Sequence, residues 1–190
     1  DAIYRMASNT KLVTSVALMM LQEEGLFDLD DPLAKFIPEF GELQVLQPDA
    51  TTAADVHPAK NLISIRHLLS HSAGLSYGFV EPDSVIDQCY LNGGVNGLGE
   101  KDIDLEELCA GIAKLPLAFE PGTSWRYSFA TDVCARLVEV LSGQSFDAFL
   151  RQRIFDPLGM MDTDFWVPQE KAHRLITMYS PEDLFDPMKP

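Results

Sequence analysis

Basic residues are scarce in this chain: 14 Lys and Arg stand against 29 Asp and Glu in 190 residues, a formal net charge of −15. Such a surface repels phosphate backbones and anionic lipid, which argues against nucleic-acid and membrane-surface partners. The acidic residues never form a run of five or six, so they read as a solvated surface. Cysteine is equally sparse, and Cys89, Cys109 and Cys134 form no CxxC pair. That argues against a disulfide framework or a thiolate zinc site and leaves three buried or half-buried thiols. The odd count suits a reducing, cytoplasmic compartment, with a periplasmic or secreted one left open. No stretch approaches the roughly 18 consecutive apolar residues of a membrane-spanning helix. Repeats and low-complexity tracts are missing, and few segments alternate as strands do. Gly93, Gly94, Gly97 and Gly99 lack the flanking strand and Lys-Ser/Thr of a phosphate loop, so they read as flexibility.

What the chain does have is helix. With 46% hydrophobic and 23% charged residues it carries ample material for a core. Asn9 to Glu24 is apolar nearly all round, which predicts a central, buried helix stopped by Gly25. Asp31-Pro32 predicts a short helix to Phe36, with Asp31 as its cap. Residues 41–62 read as an extended loop. Ser64 caps a helix from Ile65 to Ser70, and residues 78–99 read as irregular chain around a short helix. Asp104 caps Leu105 to Lys114. Phe129 to Leu141 is amphipathic and stopped by Gly143, and Ser145 caps Phe146 to Phe155. The expected fold class is therefore mostly α.

Three constellations bear on chemistry. Ser8 and Lys11 stand at i, i+3, on one helical face with Cβ atoms about 5–6 Å apart. A serine hydroxyl needs a neighbour to take its proton, and a lysine does so only as the neutral amine. Burial at the start of an apolar helix disfavours the ammonium, and the positive helix N-terminus acts in the same direction. Free amides at that terminus also suit a developing oxyanion. The plain alternative is a serine cap followed by an exposed lysine.

The second constellation is the turn Glu120 to Ser128, whose Tyr127 could share in proton transfer if it faces the serine, or could simply pack at a helix entrance. The third is His67 and His71 at i, i+4, a zinc-ligand spacing without the metalloprotease glutamate. Helix capping or a hydrogen-bonded core histidine accounts for it better, with His71 in the last turn as a cation suited to the helix dipole.

Together these segments resemble the serine β-lactamase and penicillin-binding-protein superfamily. Met6 to Lys11 followed by Val13 to Ala17 is similar to its Ser-x-x-Lys helix. Glu24 to Pro32, Ile65 to Leu75, Pro121 to Ser128 and Ile154 to Met160 follow in the matching order, so the resemblance spans nearly the whole chain. It is closest to the class C-like branch, and within that to the family VIII carboxylesterases. It implies that Ser8 is acylated, that Lys11 is its proton partner, and that Tyr127 acts with Lys11 as general base. Trp125 and Phe129 are implied at the substrate. Phe129 departs from the pattern, standing where β-lactamases and peptidases carry an amide-binding Asn. An apolar ring there implies a preference for esters with apolar acyl groups, although Phe129 also reads as the first core residue of its helix.

The third motif of that superfamily, Lys-Thr-Gly or a variant ending in Gly, needs a glycine, and none follows Gly159. The expectation is therefore a partial domain, residues 1–190 of something longer. It would hold the helical region and nucleophile helix of an α+β β-lactamase/transpeptidase-like fold, with the β-sheet largely missing. The implied activity is hydrolysis of small carboxylic esters, with no metal or organic cofactor. The alternatives are a β-lactamase, a D-alanyl peptidase, an acyltransferase, or a non-catalytic relative that binds peptides or partners in the same cleft.

Overall fold

The computed structural model describes residues 1–95 and 103–177. The reading of Gly97 and Gly99 and the search for a third motif beyond residue 177 fall outside them.

A 3-10 turn, Ala7–Asn9, leads into α1 (Thr10–Glu23). Helix α1 buries Thr14, Ala17, Leu18 and Leu21, residues spaced by three or four positions, and packs them along α5 (Ala130–Ser142). Gly25 ends it at φ +77°, a backbone state that glycine adopts without strain. The expectation of burial all round is corrected: Leu12 and Val16 are 72% and 46% exposed. An apolar run has no periodicity with which to say which flank the fold leaves open.

The loop after α1 contains two 3-10 turns, Leu33–Lys35 and Pro38–Phe40. Pro32, not Asp31, occupies the cap position there. The Asp31 carboxylate instead accepts the Asp28 amide and the Lys35 ammonium. Residues 41–62, expected as loop, contain an antiparallel pair, β1 (Gln44–Leu46) with β2 (Val56–Pro58), Val45 opposite His57. Three-residue strands are too short to show alternation. They are fixed here by bonds from Leu46 N–H to Leu117 O and from Leu117 N–H to Gln44 O.

Helix α2 (Ile65–Leu69) carries a reciprocal cap, in which Ser64 Oγ accepts the His67 amide and His67 Nδ1 accepts the Ser64 amide. Helices α3 (Val85–Asn92) and α4 (Leu105–Ile112) are capped by Ser84 and Asp104. Helix α5 closes on Gly143 at φ +69°. The expected helix from Phe146 to Phe155 is α6 (Phe146–Leu150) followed by a wider, π-helical turn, Arg151–Phe155. Ser145 makes no cap bond there, and Glu139 of α5 accepts the Phe146 amide instead at 3.0 Å. All three thiols are buried as expected. Burial pushes each above its ordinary range, Cys109 up to about 12. At the chain's start, Ile3 makes a single parallel bridge with Leu175.

Candidate active site

The turn that carries Tyr127 is laced to the segment after α2. Ala118 donates to Gly74 O, Gly122 to Ser72 O, Arg126 to His71 O and Phe129 to Ser76 O. Gly74 sits at φ +85°, and a Cβ there would lie 2.4 Å from Phe119 O, so only glycine lets the two strands of chain approach. A buried network locks the same turn from below. Arg126 Nε donates to Ser76 Oγ at 2.7 Å and one of its terminal nitrogens to Asp87 at 3.0 Å. Ser76 donates to the same carboxylate at 2.5 Å, and Asp87 has no exposed surface.

This lacing delivers Tyr127 to Ser8. The tyrosine OH and Ser8 Oγ are 2.8 Å apart across 119 residues of sequence. Lys11 Nζ lies 4.7 Å from the Tyr127 ring centroid and 5.6 Å from that of Tyr77. The structure thus brings Ser8, Lys11 and Tyr127 together. Ser8 Oγ makes no helix-cap bond, and Lys11 is half-buried rather than free in solvent. Burial of the ring pushes Tyr127 up, but hydrogen bonds with Lys11 and Ser8 and the Lys11 charge outweigh it. The phenol therefore titrates below its ordinary value, in the direction that suits a proton acceptor.

Among the described residues two non-glycines have left-handed backbone, and both are at this site. Ala7, at φ +44°, directly precedes Ser8, and His71, at φ +54°, lays its ring 5.0 Å from that of Tyr127. Such a conformation costs about 1–2 kcal/mol per residue and persists where surrounding contacts impose it. His71 lies beyond the end of α2, and its Nδ1 meets Ser128 Oγ at 3.3 Å. Burial and then the Lys11 charge hold it below the usual histidine value, so the expected cation at a helix end is corrected to a neutral ring. His67 spends its Nδ1 on the Ser64 cap, and its Nε2 faces Gly122. The two rings therefore do not converge.

Ser8 and Lys11 open onto a cavity of about 680 Å³ between α1 and α5, floored by Tyr77, Phe129 and Asp132. Phe129 is 3% exposed and packs 4.3 Å from Tyr77 and 6.2 Å from Tyr90, ring to ring. It is thus a core residue that also lines the cavity. Trp125 is 64% exposed, meets His71 edge-on at 6.2 Å and does not line this cavity. Sequence reasoning missed Tyr77 and Asp132. Tyr77 OH donates to Asp132 at 3.4 Å beside Lys11. Neither belongs to a spaced motif; only the i, i+3 relation of Phe129 to Asp132 could have drawn attention to the carboxylate.

The chain is 34% identical to lovastatin esterase of Penicillium rubens over 186 residues, 96% of this chain and 45% of the esterase. It is 34% identical to esterase EstB of Burkholderia gladioli over 166 residues, 87% of this chain and 39% of EstB. Among solved structures it superposes with a TM-score of 0.76 and 29% identity on EstCE1, a hydrolase with promiscuous acyltransferase activity, covering 94% of this chain and 43% of that one. It therefore spans less than half the length of these relatives. The family model described as Beta-lactamase matches residues 1–189, and the chain belongs to that family.

Proposed function

We propose that the intact protein is a serine hydrolase cleaving small carboxylic esters through an acyl-Ser8 intermediate. This chain is then the helical region of its α+β fold, with the nucleophile helix, and sequence outside it supplies most of the sheet. The observation that carries the reading is the 2.8 Å contact between Ser8 Oγ and Tyr127 OH beside the Lys11 ammonium.

Chemically, Ser8 Oγ attacks the ester carbonyl carbon as its proton passes to the Tyr127 oxygen. The tetrahedral intermediate expels the alcohol, which leaves with that proton, and acyl-Ser8 remains. Water, activated by the same phenol, then releases the acid and restores Ser8. The reading asks for no metal or organic cofactor. Replacing the attacking water by an alcohol makes the same site an acyltransferase, a second reading supported by the likeness to EstCE1.

The substrate class rests on Phe129. A ring that donates no hydrogen bond to an amide favours esters with apolar acyl groups. Phe129→Asn is expected to raise the ratio of amide to ester turnover about tenfold, the worth of one hydrogen bond. It should also cost roughly 3 kcal/mol of stability through the lost aromatic packing. Parallel kcat/KM measurements on an ester and its anilide, with a thermal melt, check both.

The overall proposal is tested with the intact protein on p-nitrophenyl butyrate and a chromogenic cephalosporin, with fluorophosphonate labelling and peptide mapping. Ester turnover with the label on Ser8 is expected. Faster cephalosporin cleavage would make it a β-lactamase, and no turnover with no label would leave a binding module.

A further inference from the structure

Asp132 is a half-buried carboxylate in the first turn of α5, on the wall of the cavity that holds Ser8 and Lys11. One oxygen accepts the Tyr77 hydroxyl at 3.4 Å. Tyr77 in turn presents its ring to Lys11 Nζ at 5.6 Å and lies 5.4 Å from the Tyr127 ring. The groups that feel the Asp132 charge come from every element around it: Lys11 on α1, Tyr77 and Tyr127 on the two laced loops, Cys109 on α4 and Cys134 on α5 itself. Of these, Lys11 is the one cation. Burial and the Asp132 charge push the Tyr77 phenol up, so it stays a donor to the carboxylate.

We propose that Asp132, oriented by Tyr77, is a positioning residue for Lys11. It is the negative charge on the wall of the cavity that Lys11 lines, and it sets the pH at which the Tyr127 phenol beside Lys11 becomes a proton acceptor.

This rests on the acyl-Ser8 reading and adds a negative charge to its proton inventory. Burial pushes Asp132 itself up, while the Lys11 charge draws it back toward ionisation. The sign of its influence follows from Coulomb's law. A nearby carboxylate raises the proton affinity of the Tyr127 phenol, and removing it lowers that affinity. The productive form, phenolate beside ammonium, then appears at lower pH.

The test uses the intact protein and the pH dependence of kcat/KM on p-nitrophenyl butyrate, alongside that of the fluorophosphonate labelling rate. Asp132→Asn is expected to move the acid limb of both profiles down by about one pH unit, a tenfold change in proton affinity. Asp132→Glu should keep the limb in place. Tyr77→Phe, which leaves the carboxylate without its donor, should move it in the same direction by less, and serves if the Asn variant does not fold. Profiles of Asp132→Asn and Tyr77→Phe that overlie the wild type, whatever their height, would overturn the proposal while labelled Ser8 left the hydrolase reading standing. A wild-type protein that takes no label and turns over no ester would overturn both.

Discussion

Ser8→Ala is expected to lower ester turnover by the intact protein about 10⁶-fold and to abolish fluorophosphonate labelling. In the proposed mechanism the hydroxyl is the acyl acceptor, so its removal leaves only substrate binding and whatever oxyanion donors surround the carbonyl. Tyr127→Phe should do less. It removes the phenolic oxygen 2.8 Å from Ser8 Oγ but keeps the ring that packs on His71 and Tyr77. The loss of one positioned proton acceptor corresponds to about 10²–10⁴-fold. The ranking carries the information: equal losses in the two variants would show that Ser8 has no activity without the phenol. Steady-state kinetics over several decades of enzyme concentration, with labelling read by intact mass, measure both.

The largest expected effect on stability lies away from the reacting atoms. Asp87→Ala should cost about 3–5 kcal/mol, because it strips a buried carboxylate from Arg126 and leaves that cation, 14% exposed, without its interior partner. The variant also orphans the Glu81 amide, which the same carboxylate accepts, and leaves the Ser76 hydroxyl only the Tyr77 carbonyl as acceptor. Glu81→Ala removes only the partner at the surface, 63% exposed, and should cost less than about 1 kcal/mol. Chemical denaturation of the two variants beside the wild type reads the contrast. Since Arg126 precedes Tyr127, the Asp87 variant should also lose activity at temperatures where it is still folded.

The sequence made legible what is short-range or strongly spaced. The Ser8–Lys11 pair, the glycine stops at 25 and 143, and the Ser64 and Asp104 caps all follow from relations within four residues. Tyr127 was reached through its resemblance to a known motif, since nothing local says that a loop 119 residues from Ser8 will meet it. Residues whose role depends on long-range packing stayed hidden. His71 looks like a helix-end cation until the loop carrying Tyr127 buries it. Asp132 looks like an ordinary first-turn acid until the fold sets it on the wall of the cavity that Ser8 and Lys11 line. The pair β1–β2 hides for a related reason, being fixed by Leu117, some 60 or more residues further along the chain. Glu139 in place of Ser145 as the donor-satisfying group at α6 shows a tertiary contact displacing a local one.

The left-handed alanine at position 7 has an evolutionary corollary. Asparagine and glycine tolerate that geometry better than alanine does. Selection for heat tolerance alone therefore pulls this position toward them, relaxing the peptide that carries Ser8. Lineages held to fast turnover by the proposed acyl-Ser8 route would be pulled the other way, so position 7 is where the two pressures would first come apart.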